Sequence, residues 1–146
     1  MRRAIAVALG TGAFISSAAA LSLSGNESSN TEVGRKEYEI SLQRVAAAKP
    51  VALSRCEALP AADKELCRTE AEAREMVRVA EIEQEYRRTE TSARALQRAR
   101  VDARYQVERA RCGTLAGYKR DRCLIRAHAA RGRALLEAAS PYEVRF

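Results

Sequence analysis

The stretches RCEALPAADKELC (residues 55–67) and RCGTLAGYKRDRC (residues 111–123) decide how this chain folds. Each opens on Arg-Cys, carries Leu three residues after that Cys, and closes on a second Cys after ten intervening residues. On one continuous helix, cysteines so spaced stand about 16 Å apart along the axis, whereas a disulfide needs Cα atoms within about 7 Å. A straight helix forbids the bond. If the chain reverses between them, near residues 60–63 and again near residues 115–118, the two positions of each pair lie almost equally far from a turn. They then face each other across an antiparallel pair of helices, with Leu59 and Leu115 expected beneath the turns as local plugs. A cross-pairing between the two units would require their turns to meet.

Outward from these motifs, the 56-residue offset that superposes them also aligns Ala47 with Ala103, Val51 with Val107, Ala71 with Ala127 and Ala73 with Ala129. The chain reads as two copies of one helix-turn-helix unit, fused through a shared helix. Seven Gly and three Pro leave few helix breakers, and the prevailing Ala, Arg, Glu and Leu are strong helix formers. From about Arg35, Tyr38, Leu42, Val45, Ala52, Cys56 and Leu59 recur at helical steps. Pro50 lacks a backbone donor and is expected to kink or restart that helix near Lys49.

Neither Gly nor Pro occurs between Asp63 and Cys112. The spacing predicts one helix of about 75 Å there. Its apolar stripe runs through Leu66, Ala73, Met76, Val77 and Ala80, then changes phase to Ile82, Tyr86, Leu96, Ala103 and Val107, which implies different partners for its two halves. A last helix is predicted from about Tyr118 to Ala139, with Cys123, Leu124, Ala127 and Leu135 near one face and Pro141 beyond its end. The expected architecture is all-α and elongated: a long central helix with a shorter helix folded back at each end, two disulfide-clamped hairpins within residues 35–139. Aromatic residues are 5% and Trp is absent, so the core is expected to be thin.

The first 20 residues join two arginines, an apolar run from Ala4 to about Ile15 and a small-residue end at Ala18-Ala19-Ala20, the order of a secretory signal peptide. The alternative is an uncleaved membrane anchor, because residues 4–23 supply roughly the 20 needed to span a bilayer. Residues 21–34 are small and polar and read as a flexible linker, and residues 140–146 as a C-terminal tail. Export to the periplasm or beyond puts the four cysteines in an oxidising compartment, where an even number at repeated spacing reads first as two disulfides, Cys56 with Cys67 and Cys112 with Cys123.

Other chemistry finds little footing. Ten-residue gaps differ from the short paired spacings of zinc sites, and the only histidine, His128, lies five residues beyond Cys123. Cys-x-x-Cys redox spacing is absent. His128 has no Ser or spare Cys arranged as a nucleophile, and no Gly-rich phosphate loop occurs. Neither a cofactor nor a metal nor an enzymatic activity is expected. Glu81, Glu83, Glu85 and Glu90 read as helix-surface partners of nearby arginines rather than general acids.

Charge is uneven. Residues 21–60 carry five positive and five negative side chains, residues 61–100 nine of each, and residues 101–146 ten positive and five negative. Arg109, Arg111, Lys119, Arg120, Arg122 and Arg126 surround the second turn. They form a basic tip suited to anionic envelope polymers or lipid head groups. A nucleic-acid partner is not supported by any recognised motif or aromatic stacking surface.

The Cys, two residues, Leu, seven residues, Cys pattern, set among Ala-rich charged helices behind a signal peptide, resembles small exported helical proteins of proteobacteria that carry repeated Cys-x10-Cys motifs. The resemblance covers about Ala47 to Ala139. The Gly and Lys common between the family's cysteines are matched by Gly117 and Lys119, whereas the first unit has Pro60 and Lys64. It implies a cell-envelope location and paired cysteines, and adds no activity. The expected function is that of a non-enzymatic structural or protein-interaction module, contacting an envelope protein or its own copies. The alternatives are an anion-binding protein acting through the second hairpin and a periplasmic chaperone.

Overall fold

The computed structural model describes residues 24–139, which form four α-helices and no strand. They are α1 (Ser24–Glu57), α2 (Ala61–Arg87), α3 (Glu90–Gly113) and α4 (Gly117–Ala139). The signal-peptide reading of residues 1–20 and the tail at 140–146 lie outside the described residues.

Each helix packs on its neighbours in sequence. Among the described residues α1 touches α2, α2 touches α3 and α3 touches α4, with no contact between non-consecutive helices. The rungs between them show that every neighbouring pair is antiparallel. Tyr38 meets Glu83, Lys49 meets Glu75 and Cys56 meets Cys67 between α1 and α2. Glu81 meets Arg100 and Glu70 meets Arg111 between α2 and α3. Asp102 meets Arg131 and Cys112 meets Cys123 between α3 and α4. Among the described residues the helices follow one another like a ribbon folded at three turns, with α1 and α4 each packed on one neighbour.

The expected long central helix is corrected here. It breaks at Arg88, which adopts a left-handed conformation (φ 49°, ψ 34°) and donates its backbone N–H to the Gln84 carbonyl at 2.9 Å. Thr89 then caps α3. Its Oγ1 accepts from the Ser92 N–H, and the Ser92 hydroxyl accepts from the Thr89 N–H, each at 3.1 Å. This reciprocal cap satisfies donors that a helix start leaves open. The bend folds the two halves of the expected helix onto each other, so α2 is flanked by α1 and α3.

Three smaller expectations also change. The helix already includes Ser24 rather than starting near Arg35, so most of the stretch read as linker is helical. Nothing in it is a Pro, and Lys36 pairs with Glu32 one turn earlier at 2.9 Å. The helix continues through Pro50. That residue forfeits one backbone bond, but the Lys49–Glu75 pair and the Cys56–Cys67 bridge tie the chain to α2 on both sides of it. Leu59 and Leu115, expected as plugs, are each 39% exposed because they are turn residues themselves. The cystines fill that role instead, since Cys56 and Cys112 are the largest fully buried side chains.

Among the described residues the rest of the core is small: Ala71, Ala73, Ala103 and Ala127, with Ile82 and Leu96 as its only large apolar members. Alanine lets helices approach closely but removes little apolar area from water. The covalent bridges carry correspondingly more of the stability.

A basic groove as the candidate functional site

The two disulfides set the frame. Both link positions 11 apart in sequence with Cα atoms 5.5 Å apart, and no cysteine is free. Their turns share one hydrogen-bond pattern. Ala58 N–H donates to Arg55 O and Leu59 N–H to Cys56 O, while Thr114 N–H donates to Arg111 O and Leu115 N–H to Cys112 O. The second turn differs at its exit, where Gly117 takes φ +51°, a conformation suited to glycine, and the first turn has Ala61 inside α2.

The second disulfide holds α4 against α3 along a groove of about 930 Å³. Lys119, Arg122, Arg126 and Arg133 recur at steps of three, four and seven, so they occupy one side of α4. Arg100 and Arg104 stand on the α3 side, and Cys123, Ala127 and Ala130 supply part of the floor. Glu108 and Glu137 are the only acids in the lining among the described residues.

A polar cluster braces the groove. Arg131 donates to Asp102 across the two helices at 2.7 Å, and its guanidinium lies 5.1 Å from the centre of the Tyr105 ring. The Tyr105 hydroxyl in turn lies 3.0 Å from Nε2 of exposed His128. Arg131 is thereby neutralised, and Arg100 reaches Glu81 of α2 at 3.3 Å. Arg104, Lys119, Arg126 and Arg133 are exposed and have no ion-pair partner among the described residues. Arg122 lies over the Tyr118 ring at 5.4 Å. Guanidinium groups in such a row can each present a planar fork of donors to a phosphate or carboxylate.

Of the six basic residues singled out by sequence, the groove gathers Lys119, Arg122 and Arg126. Arg111 instead bridges Glu70 of α2 and Glu108 of its own helix, at 3.3 and 3.1 Å. Arg109 and Arg120 are exposed but do not line the groove. Arg100, Arg104 and Arg133 join it unanticipated. Their sequence signal is the three- and four-residue spacing to the others, which becomes useful only once α3 and α4 are placed side by side.

The glutamates behave as helix-surface partners. Glu81 accepts from Arg78 and Arg100, Glu83 from Tyr38 and Arg87, and Glu90 from Arg94. The hydrogen bonds from Arg78 and then Arg100 hold the Glu81 carboxyl below its usual range. The Tyr38 hydroxyl and then Arg87 do the same for Glu83, and Arg68 and then Lys64 for Glu57. The Glu83 carboxylate in turn pushes the Tyr38 phenol up. Tyr38 also stacks on Tyr86, with ring centroids 4.4 Å apart, so this end of α1 is joined to α2 by a ring contact and a hydrogen bond to a carboxylate together.

Among the described residues, no group of His, Cys, Asp and Glu is placed to hold a metal ion, and no helix is long and apolar enough to cross a membrane. Comparison of the chain with protein-family models, curated proteins and solved structures finds no match.

Proposed function

We propose that this chain is an exported, non-catalytic interaction module of the cell envelope, in which two copies of a disulfide-clamped hairpin present their outer helix faces to partners. The observation that carries the reading is the packing order: among the described residues α1 and α4 each pack on one neighbour and leave apolar side chains on the other side. Val33, Ile40 and Val51 are exposed on α1, and Tyr118, Ile125 and Leu136 on α4. Two disulfides are suited to an oxidising compartment and support export. The signal-peptide pattern and the resemblance to exported proteobacterial helical proteins agree with it. The test is crosslinking in intact envelope followed by affinity capture, with a cysteine-free variant as control. Specific adducts lost in that variant are expected, and no adduct above background overturns the reading.

The basic groove favours a second reading in which the partner surface is anionic. Lys119, Arg122, Arg126 and Arg133 form a row of charge over a small apolar floor, the arrangement that takes phosphate groups of a polymer or of lipid heads. Binding to anionic phosphatidylglycerol vesicles and to inorganic polyphosphate should weaken with salt and fall on reversal of Arg122 and Arg126, with reversal of Arg120 as the off-groove control. Salt-insensitive binding, or equal loss from all three reversals, contradicts it. A chaperone role rests only on helicity and location, and failure to suppress aggregation of a model client removes it.

A further inference from the structure

The outer face of α1 is a second copy of the face by which α3 holds α2. At the 56-residue offset, Leu96, Arg100, Ala103, Val107 and Arg111 of α3 correspond to Ile40, Arg44, Ala47, Val51 and Arg55 of α1. Four of these five positions are identical, and the fifth exchanges Leu for Ile. In α3 they are in use. Leu96 and Ala103 are buried, and Ala103 and Val107 line the junction with Ala73 and Val77 of α2. Arg100 and Arg111 reach Glu81 and Glu70 of α2, each at 3.3 Å. In α1 the same side chains are idle. Ile40 is 45% and Val51 53% exposed, Ala47 is exposed, and Arg44 and Arg55 have no ion-pair partner among the described residues.

We infer that this face of α1 docks an amphipathic helix of another protein, of the α2 type: two carboxylates eleven residues apart with small apolar residues between them. The α2 helix itself gives the pattern, Glu70, Ala73, Val77 and Glu81. Arginines three turns apart read that carboxylate spacing, and Ala47 and Val51 take the apolar residues between. A second copy of this chain is a poorer occupant. Its α2 face is already covered by α3. The equivalent positions on its free edge, α4, place Arg126 where α2 has Glu70 and Arg133 where α2 has Val77, keeping only Ala129 and Glu137 in kind. Arg126 would confront Arg55. The inference rests on the reading of the ribbon's edges as partner surfaces and assigns one of them a partner chemistry.

The test titrates the full chain with a synthetic peptide of the α2 sequence, residues 61–87 with C67S, beside a peptide that also carries E70R and E81R. Saturable binding of the first peptide is expected. It should weaken at least about tenfold in the chain variant R44E/R55E, which in turn should bind the charge-reversed peptide. Exposed positions make these variants safe for folding, and circular dichroism checks it. No binding overturns the proposal. So does binding that depends on Arg100 and Arg111 but not on Arg44 and Arg55, because the peptide is then displacing the chain's own α2. Self-association of the chain, abolished by R44E/R55E in sedimentation, overturns it in favour of a second copy. The peptide reads α1 alone and the envelope crosslinking reads the whole surface, so either idea can fail without the other.

Discussion

Thr89 and Ser92 cap each other at the start of α3, and Ser92 also donates its hydroxyl to the Gln84 side chain of α2 at 2.6 Å. These contacts join the end of α2 to the start of α3, where the sequence shows no glycine or proline. Thr89→Ala removes the cap and leaves the buried Ser92 hydroxyl with fewer partners. A loss of about 1 to 2 kcal/mol is expected, read as a shift in the urea midpoint at constant slope.

Arg88 stands in the left-handed region at φ 49°. A β-branched residue there adds steric cost of about 1 to 2 kcal/mol, while glycine relieves the existing one. Arg88→Val should therefore lower the melting temperature, and Arg88→Gly should leave it unchanged or raise it. Equal destabilisation by both would show that the arginine side chain, rather than its backbone angle, holds the turn.

Much of this fold is legible in the sequence, and the missed bend shows why some is not. The cysteine spacing locates two reversals because a covalent bond has a strict distance requirement. The reversal at Arg88–Thr89 uses a non-glycine left-handed residue and a Thr-x-x-Ser cap. Both are weak signals beside an uninterrupted helical composition. Its trace was the phase change of the apolar stripe between Ala80 and Ile82, a few residues ahead of the bend. The groove is half visible in the sequence for a related reason. Lys119, Arg122 and Arg126 surround the Cys112–Cys123 turn in sequence, whereas Arg100 and Arg104 reach it only through the antiparallel register of α3 and α4.

The two disulfides close loops of equal length, so replacing either pair by serine should cost a similar amount, about 2 to 3 kcal/mol in the chain-entropy model. Local consequences should differ. Without its bridge the α1–α2 turn still has Glu57 accepting from Arg68 and Lys64, whereas Gly113 occupies the equivalent place in the second unit. Hydrogen exchange should show the α4 amides opening in C112S/C123S more than the α2 amides open in C56S/C67S.

Acid should weaken the α1–α2–α3 contacts. Glu57, Glu81 and Glu83 have folded-state values below the ordinary 4.5, so their contribution is fully present above that pH and is lost as pH falls through the depressed values. Melting temperature should be flat from neutrality to about pH 5 and decline below it. Salt should reduce the effect, since these pairs are largely exposed. Glu81→Gln should make the decline shallower, and an unchanged slope would show that the Arg78 and Arg100 contacts contribute nothing.

The proposed function needs each hairpin bolted by its own disulfide in an oxidising compartment. Peptide mapping under non-reducing conditions, on protein whose thiols are blocked at the moment of cell lysis, tests it most directly. Two linkages are expected, Cys56 to Cys67 and Cys112 to Cys123, with no alkylated cysteine. Free thiols, or a peptide joining Cys56 to Cys123, would contradict it.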